Sequence, residues 1–367
     1  MKTVTDNRII LTLDAGGTNF VFSAIQSGRS IVAPVRLPAE AHNLKKCLGN
    51  IVSGFQQLSD SVDGQAEAIS FAFPGPADYE KGIIGNLPNF EAFNDNVPLG
   101  PILENKFKLP VFINNDGNLF AYGEAVSGFL PDVNQRIKSA GGIKQFKNLI
   151  GLTLGTGFGG GIVLNNTLVV GDSSCGAEVH NSLNKFNTNW NAEESISTRA
   201  IQRVYAEKTG QAFSEKLMPK DIAGIAGGLQ EGDKAAAIES FRKFGEALGS
   251  SIANIITLVD GLVVLGGGIT AAWDLFSPAL FKEINRKYLH FTGSPNDRLS
   301  FSVFNLEDET RFEEFALGKV KKLAVEGTSD FIEFDSMPRT AVGISKLGAS
   351  HAIALGAYTF ALQQLDK

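Results

Sequence analysis

The chain has 367 residues, of which 43% are hydrophobic and 20% charged, a composition that supports buried cores and excludes disorder as the main state. This length predicts two or three domains, since a domain averages roughly 150 residues. The net charge of −6 argues against nucleic acid or an anionic membrane as a partner, and the two cysteines predict a reducing, cytoplasmic location without a disulfide framework.

The first predicted elements are two apolar strands, Ile9–Leu13 and Phe20–Ile25, joined by a glycine turn and followed by a third strand over Ser30–Val35. Glycine lets an anion approach the backbone N–H groups of such a turn. Asp14, at the end of the first strand, suits a carboxylate that orients water on a phosphate-bound Mg²⁺. The alternative is an ordinary hairpin turn that begins with an aspartate.

A helix is predicted over Leu44–Leu58, where apolar residues recur every three or four positions. A later strand, Phe112–Asn114, ends in Asn115 and Asp116. A carboxylate in that position suits a general base, and the adjacent amide suits a hydroxylated substrate. The same residues fit an Asx turn in which Asp116 caps the helix that begins near Leu119.

The segment 131–147 is polar and carries a glycine pair, so we interpret it as a surface insertion. Beyond it the first pattern repeats, with strands over Leu149–Leu154, Gly161–Leu164 and Leu168–Val170 around a glycine-rich turn. Five glycines in positions 155–161 exceed the need of one turn, and a bound polyphosphate is the simplest reason for them. The turn is neither a Walker A loop nor a dinucleotide fingerprint. The repeat predicts two related α/β domains that face one another, with a ligand in the cleft between them.

The segment Cys175–Asn181 combines acceptors and donors that suit the hydroxyls of a sugar, although a solvated loop is the alternative. Cys175 and His180 lack the further spaced partners of a closed zinc site. Helices are predicted over Glu193–Thr209 and Ala235–Leu258.

The strand Leu262–Leu265 runs into the glycines Gly266–Gly268, which either leave room for a flat ring or form a plain strand-to-helix turn. The surrounding apolar stretch, Ser251–Trp273, is interrupted by Asp260 and these glycines, so it predicts core and not a membrane span. The last predicted element is a helix over Ser345–Leu362.

In this order the motifs resemble those of the ROK sugar kinases, a family of the actin, hexokinase and Hsp70 superfamily. Asp14–Thr18 resembles the first phosphate hairpin of the family, Leu154–Gly157 the second, and Leu265–Gly268 the adenosine loop. Asn115–Asp116 resembles the sugar-binding and catalytic pair, and Ser345–Ala361 the C-terminal helix that packs back on the N-terminal domain.

The resemblance covers most of the chain and implies an α/β fold of two ribonuclease-H-like domains, as in actin-like ATPases, facing a central cleft. It divides the chain into a small N-terminal domain, residues 1–120, completed by the C-terminal helix 345–365, and a large domain, residues 121–344. The large domain would carry the insertion at 131–147.

The resemblance also implies roles for individual residues. Asp116 is the expected catalytic base, with ATP and Mg²⁺ as cofactors and the ion held mainly through the phosphates. The expected sugar contacts are Asn86, Asn89, Asn115, Glu178, Asn181 and Glu193. The expected nucleotide contacts are Asp14, Gly16, Gly17, Thr18, Asn19, Gly155, Thr156, Gly157, Gly266, Gly267 and Gly268.

One segment departs from the family pattern. Aligned on Glu178, Asn181 stands where the family has a histidine that binds both a sugar hydroxyl and a structural zinc, and His180 lies one place earlier. The cysteine-rich zinc segment is absent, since residues 186–192 contain no cysteine. We therefore expect no zinc.

These features predict ATP-dependent phosphorylation of a hexose, with glucose as the first choice and N-acetylmannosamine, mannose, fructose and allose as alternatives. A sugar-responsive regulator is a second hypothesis, but the first strand begins by Arg8 and leaves no room for a preceding DNA-binding domain. A non-catalytic sugar-binding protein is a third, against which Asp116 argues. The expected partners are the sugar and ATP, without nucleic acid or membrane, and a homodimer stays open.

Overall fold

The computed structural model describes residues 6–16, 18–75, 77–85, 87 and 91–367. Three expected contact residues, Gly17, Asn86 and Asn89, lie outside these ranges. Contacts divide the chain into two compact units. Unit 1 comprises Met1–Gly128, Gly161–Ala177 and Leu347–Lys367, and unit 2 comprises Phe129–Gly160 and Glu178–Lys346. Among the described residues, no helix has the length and apolar character needed to cross a bilayer.

The chain contains the following elements within the described ranges. The strands are β1 (Ile9–Ala15), β2 (Asn19–Gln26), β3 (Arg29–Ser30), β4 (Val35–Pro38), β5 (Ala66–Ala72), β6 (Ala77–Asp78), β7 (Ile83–Ile84), β8 (Val111–Asn114), β9 (Leu149–Leu154), β10 (Phe158–Leu164), β11 (Thr167–Leu168), β12 (Leu262–Gly266), β13 (Lys287–Leu289), β14 (Pro295–Asp297), β15 (Ser302–Asn305), β16 (Val320–Ala324), β17 (Phe331–Asp335) and β18 (Arg339–Ile344). The α-helices are α1 (Leu44–Ser61), α2 (Leu99–Phe107), α3 (Asp116–Val126), α4 (Phe129–Ser139), α5 (Thr198–Thr209), α6 (Pro219–Gly227), α7 (Lys234–Leu258), α8 (Trp273–Ile284), α9 (Glu309–Leu317) and α10 (Ala349–Leu365).

Two six-stranded sheets repeat the same strand order. In the first, β3-β2-β1-β5-β8, the strands β1 and β2 form an antiparallel hairpin, β4 also pairs with β2, and β5 and β8 run parallel to β1. The second has the order β11-β10-β9-β12-β18-β15, with β12 and β18 parallel to β9. The predicted α/β repeat is therefore confirmed at the level of strand order, and β15 is an addition to the second copy.

The parallel strands bring candidate residues to one edge of the first sheet. Because β1, β5 and β8 are parallel, their carboxyl ends lie at the same edge, where ligands of α/β proteins commonly bind. β1 ends with Asp14 and Ala15, and β8 leads directly into Asn115 and Asp116. The sheet therefore places both carboxylates on one side of unit 1.

Helices cover both faces of the first sheet. On one face α1 buries Ile51 and Phe55 in a core rich in phenylalanine, including Phe22 and Phe71. On the other face α10 packs against the sheet and against α3. Near the end of α10, Asp366 forms an ion pair with the Arg8 guanidinium, with 2.8 Å between Oδ1 and Nη1.

Two glycines allow α3 and α10 to cross at close range. A Cβ atom at Gly123 of α3 would collide with the carbonyl oxygen of Ala352, and one at Gly356 of α10 with the carbonyl oxygen of Leu119. The helix backbones touch directly, so no larger residue fits at either position. The C-terminal helix is thus an integral layer of unit 1.

The segment 131–147, predicted as a surface insertion, contains a helix that was not predicted. It begins in helix α4, which buries Phe129, Leu130, Val133 and Ile137 in unit 2. After the helix, Phe146 is buried, and its backbone N–H and carbonyl both bond to the Asn134 side chain at 2.8 Å. Most other side chains of 131–147 are exposed or half-buried, so the surface insertion stays a prediction, whereas the helix was not predicted because polar residues on its outer face masked an apolar stripe at helical spacing.

Three other predicted elements have different bounds in the structure. The strand expected over Ser30–Val35 is divided into β3 and β4. The helix expected from Glu193 begins only at Thr198, after a 3-10 turn over Ala192–Ser195. The segment Gly161–Ala177, expected in the large domain, belongs to unit 1, and the unit boundary falls inside β10.

A two-stranded ribbon, β16 with β17, projects its side chains into solvent from unit 2. Its base is held by the buried Arg339, which donates to the carboxylate of Asp335 and to the carbonyl oxygens of Phe315 and Met337. Gly318 completes this base, since a Cβ there would meet both charged groups.

Candidate functional site

Asn115 and Asp116 form the start of α3. Asn115 is the N-cap, and its Oδ1 accepts a hydrogen bond from the Gly117 N–H at 2.7 Å. Asp116 Oδ1 accepts from the same N–H at 2.8 Å. Capping is therefore performed by Asn115, and not by Asp116 as in the alternative interpretation of the sequence. Asp116 is the first helical residue, and its side chain stays accessible to solvent.

Two buried asparagines support this turn, and sequence reasoning missed both. Asn114 Oδ1 accepts from the Asn115 N–H at 2.8 Å and from Asn118 Nδ2 at 3.0 Å. Asn118 Oδ1 is buried and has no hydrogen-bond partner among the described residues. Asn114 ends the strand and Asn118 lies in the first turn of α3, so no strand or helix periodicity in the sequence pairs them. The pair fixes the backbone from which Asp116 projects.

The environment of Asp116 favours its protonated form. Although the residue reaches solvent, protein atoms crowd around its carboxyl and displace part of its hydration, which raises its pKa, and the nearby Asp14 carboxylate raises it further. The N–H groups of Gly117 and of Asp116 itself act in the opposite direction. A carboxyl with a raised pKa is a stronger proton acceptor once it is ionised.

Asp14 lies near the end of β1, just before the first glycine turn, and is also held in place. Desolvation raises the pKa of its carboxyl, while a hydrogen bond with Ser350 and the charge of Arg36 lower it in part. Ser350 belongs to the first turn of α10, so the C-terminal helix reaches the predicted phosphate-binding turn. A pocket of 220 Å³ in unit 1 is lined by Asp14 and Ser350, and also by His351, to which the sequence assigned no role.

The first turn itself is tight. A Cβ at Gly16 would lie 2.9 Å from the Asn19 carbonyl oxygen, so this position requires glycine for packing. Thr18 and Asn19 are exposed at the tip of the β1–β2 hairpin, where a ligand can reach them. The turn can offer N–H groups and a hydroxyl to an anion.

Most of the glycines in the second turn are explained by packing within the protein. A Cβ at Gly157 would lie 2.6 Å from Glu193 Oε2, and one at Gly159 would collide with Thr153. None of the glycines in positions 155–161 has a positive φ. The prediction that polyphosphate explains the whole run was therefore too broad. Gly155, where a Cβ would meet nothing within 4 Å, and the exposed Thr156 remain open to a ligand.

Glu193 links the second glycine turn to a cationic side chain. Its Oε2 accepts from the Phe158 N–H at 2.9 Å, and its Oε1 lies 2.8 Å from Arg199 Nη2. Burial raises the pKa of Glu193, but the Phe158 N–H, Arg199 and His180 together outweigh it and hold the pKa below its usual value. Glu193 is thus an ionised acceptor. Arg199 is a site residue that no local motif indicates.

His180 and Glu178 form a second pair of polar side chains, in addition to Glu193 and Arg199. The His180 ring nitrogen Nδ1 lies 3.0 Å from Glu178 Oε2, and both side chains are about one-third exposed. Asn181, the residue aligned with the histidine of the family, is exposed at the end of a short 3-10 turn. The geometry therefore favours His180 over Asn181 as the residue that takes the place of the family histidine beside Glu178.

The segment between these residues is held by Asn184. This buried side chain donates from Nδ2 to the Asn191 carbonyl oxygen at 2.8 Å and to Ser195 Oγ at 2.9 Å. Its Oδ1 accepts from the N–H groups of Phe186 and Asn187. The Asn184 side chain thus links the two ends of the 184–195 segment, which contains Glu193.

The third glycine cluster follows β12. Gly267 has a φ of 95°, and a Cβ there would collide with the Leu154 carbonyl oxygen, so this position requires glycine. At Gly268 a Cβ would meet nothing within 4 Å. The chain then enters a 3-10 turn and α8. A strand-to-helix turn explains Gly267, whereas the open backbone at Gly268 leaves room for a flat ring.

The acidic, histidine and cysteine side chains determine whether the site can bind a metal ion. Within the described part of the chain, no group of three or more histidine, cysteine or acidic side chains has the arrangement of a direct metal site. Asp14 and Asp116, whose charges oppose one another, fit a hydrated divalent cation, which would relieve that repulsion while keeping most of its water ligands.

Comparison with known proteins agrees with this geometry. The family model described as "ROK family" matches residues 10–303. The glucokinase of Thermotoga maritima is 28% identical over 302 residues, which cover 78% of this chain and 90% of the relative. The N-acetyl-D-glucosamine kinase of Aliivibrio fischeri is 28% identical over 281 residues, or 70% of this chain and 83% of the relative.

Solved structures similar to this chain also include those of sugar kinases. The crystal structure of a glucokinase from Parabacteroides distasonis has 49% sequence identity and a TM-score of 0.90, with 99% of each chain covered. A ROK family glucokinase from Streptomyces griseus, solved with glucose and AMPPNP, has 20% identity and a TM-score of 0.61, with 97% of this chain and 99% of that one covered. The latter likeness supports the two-domain, actin-like ATPase fold.

Proposed function

This chain belongs to the ROK family and is an ATP-dependent sugar kinase, and we propose that it transfers the γ-phosphate of ATP to glucose. The observation that carries the catalytic part of the proposal is Asp116, a carboxyl of raised pKa fixed at a strand-to-helix turn. N-acetyl-D-glucosamine is the competing acceptor, because kinases of that name also match most of the chain.

In the proposed reaction, Asp116 accepts the proton of the sugar hydroxyl as its oxygen bonds to the γ-phosphorus. The bond from that phosphorus to the ADP oxygen breaks, and ADP leaves with its electron pair. Such catalysis depends mainly on positioning and on stabilising charge. The hydrogen bonds of Asn115 and Asn114 hold the Asp116 backbone for this step.

We propose that the nucleotide contacts the first turn through Gly16, Gly17, Thr18 and Asn19, the second through Gly155, Thr156 and Gly157, and the third through Gly266, Gly267 and Gly268. Mg²⁺ supplies charge neutralisation on the phosphates when bound. Asp14 would orient one of its water ligands, a role that suits a carboxylate held by Ser350.

We propose that the sugar hydroxyls bind Asn115, Glu178 and Glu193, with His180 adding a ring nitrogen. Asn86, Asn89 and Asn181 remain proposed contacts from the family resemblance. Carboxylates held by Arg199 and by a histidine accept hydrogen bonds from hydroxyls without changing position.

The experiment is a coupled ADP-release assay with glucose, N-acetyl-D-glucosamine, N-acetylmannosamine, mannose, fructose and allose. We expect the highest kcat/KM with glucose. A higher value with N-acetyl-D-glucosamine would reassign the acceptor, and no ADP release with any sugar would overturn the kinase proposal.

The variant Asp116→Asn tests the base. We expect kcat for glucose to fall by about 10²–10⁴-fold, as on loss of a general base. The raised pKa means that ionised Asp116 opposes folding at pH values above that pKa, so the amide variant should unfold at an equal or higher temperature. Asp132→Asn, an exposed change in α4, is the matched control. Near-normal turnover by a folded Asp116→Asn protein would remove the assignment.

A further inference from the structure

A pocket of 260 Å³ lies in unit 2 between the 184–195 segment and the helices α5 and α7. None of the residues proposed above to bind sugar or nucleotide lines it. Its walls combine three aromatic rings with three cationic side chains, Phe186, Trp190, Phe244, Arg203, Lys208 and Lys243.

Cations lie directly over two of the rings. The Lys243 ammonium is 4.3 Å from the centre of the Phe186 ring, and the Arg203 guanidinium is 4.6 Å from the centre of the Trp190 ring. Phe186 and Trp190 are 40% and 37% exposed, so each ring keeps part of its surface open to the pocket. The rings therefore present apolar surface to the pocket beside positive charge.

The charge of the pocket is opposite to that of the whole chain. Among its lining residues Glu207 is the one carboxylate, and it pairs with Arg203 at 3.0 Å. Lys208 and Lys243 give the lining residues a positive excess, which the nearby Glu239 carboxylate offsets in part, whereas the chain as a whole carries −6. A local excess of this kind attracts small anions.

We propose that this pocket binds a small organic anion with a flat or apolar body, such as a ring that carries one phosphate or carboxylate. The rings of Phe186 and Trp190 would contact the body, and Lys208 and Lys243 the anionic group. A volume of 260 Å³ accommodates one ring with one such group.

The pocket is connected to the proposed sugar site through the chain. Asn184 accepts hydrogen bonds from the N–H of Phe186 and bonds to Ser195, which also lines the pocket. Glu193 lies two residues before Ser195. A ligand that contacts Phe186 and Trp190 therefore touches the segment that positions Glu193, and the proposal extends to an effect of that ligand on sugar binding at the proposed site.

The test uses Trp190 as a reporter and phenyl phosphate as the probe, at 0.15 M salt so that nonspecific attraction is screened. We expect saturable quenching of fluorescence by phenyl phosphate, with at least tenfold weaker effects from inorganic phosphate or phenol alone. Lys243→Ala should weaken binding about tenfold, and Lys243→Arg should largely restore it. Lys282→Ala, an exposed change in α8, is the matched control.

Two further readouts separate this site from the kinase site. Trp190→Phe should abolish the quenching, which excludes a signal from the buried Trp273. Saturating phenyl phosphate should change KM for the sugar at least twofold in the parent protein but not in Lys243→Ala. No saturable quenching up to 10 mM, a level set by the order of weak ligand affinities, or equal quenching in Lys243→Ala, would overturn the binding site. An unchanged KM would overturn the effector role.

Discussion

At the scale of single residues, the site depends on carboxyl groups in contrasting environments. Asp116 and Asp14 lie near each other in unit 1, and desolvation raises the pKa of both. Glu193 has a lowered pKa because Arg199 and a backbone N–H bind its ionised form. The first pair suits proton transfer and a cation, and Glu193 suits a permanent acceptor of hydrogen bonds.

The coupling between Asp14 and Asp116 can be measured through pH. Because Asp14 raises the pKa of Asp116, the variant Asp14→Asn should lower that pKa, so that activity persists to lower pH. The acid limb of the kcat/KM profile should therefore move to lower pH, even though the variant is slower overall. Asp14→Glu keeps the charge and should leave the limb in place. An acid limb that stays in place in Asp14→Asn would disprove the coupling.

At the scale of elements, packing determines most of the unusual sequence positions. Gly123 and Gly356 allow the crossing of α3 and α10, and Gly157 makes room for the Glu193 carboxylate. Their glycine identity reflects neighbouring atoms and not a positive φ. Close packing thus accounts for these three glycines, whereas others, such as the helix C-caps Gly210 and Gly228, do have a positive φ.

The α3–α10 crossing predicts the effect of Gly123→Ala. The added Cβ would collide with the Ala352 carbonyl oxygen, so we expect a loss of about 1–3 kcal/mol in unfolding free energy. Gly49→Ala in α1 is the control, since a Cβ there meets nothing within 4 Å and alanine gains about 1 kcal/mol of helix propensity. Denaturant unfolding should show opposite shifts in the two variants, and equal shifts would contradict the crossing.

Asn184 predicts a coupling between loop structure and sugar affinity. Asn184→Ala removes the buried hydrogen bonds that this side chain makes with Asn191, Ser195, Phe186 and Asn187, at about 1 kcal/mol each. We expect KM for the sugar to rise severalfold more than kcat falls, because Glu193 loses its position. Asn184→Asp retains the acceptor and should be intermediate. Asn189→Ala, an exposed change in the same loop, should leave both constants unchanged.

The strands that begin each sheet were predictable from sequence, and the connections were less so. The runs of aliphatic residues in β1, β9 and β12 are short and bounded by glycine, which indicates buried strands. The strand expected over Ser30–Val35 failed at Pro34, which has no N–H to donate to a sheet. Helix α4 was missed because its outer face is polar.

Site residues that directly follow a strand were likewise predictable from sequence, and site residues in the connections were not. Asp14, Asn115 and Asp116 were identified because each follows a strand directly, where local pattern and position agree. Arg199 and Asn184 were not, since their partners are fixed by the path of the 184–195 segment and not by any motif. His180 was recognised as a departure from the family, but only its distance to Glu178 indicates a role.

At the scale of the whole molecule, unit 1 is discontinuous in sequence. It takes its sheet from the first 128 residues and one of its covering layers from Leu347–Lys367, after the chain has formed most of unit 2. The buried Tyr358 and Ala361 belong to that late layer. Unit 1 therefore cannot complete its core until the end of the chain is available.

A truncation tests this dependence. Removal of residues 347–367 exposes the apolar face of the first sheet and removes Ser350 from Asp14, so we expect unit 1 to lose its cooperative unfolding transition. Truncation after Leu365 keeps α10 and should preserve it. The measurement is thermal unfolding followed by near-ultraviolet circular dichroism, and an unchanged transition after the longer deletion would contradict the role of α10.

The ion pair between Arg8 and Asp366 has a consequence for how the chain can be rewired. It brings Asp366 beside Arg8, so a short linker between these two positions could join them without crossing the molecule. In such a circular permutant, the segment that ends at Asp366 would run directly into the one that begins at Arg8, and the first and last pieces of unit 1 would become one continuous stretch. Such a permutant would therefore keep the fold of this kinase while its segments are synthesised in a different order.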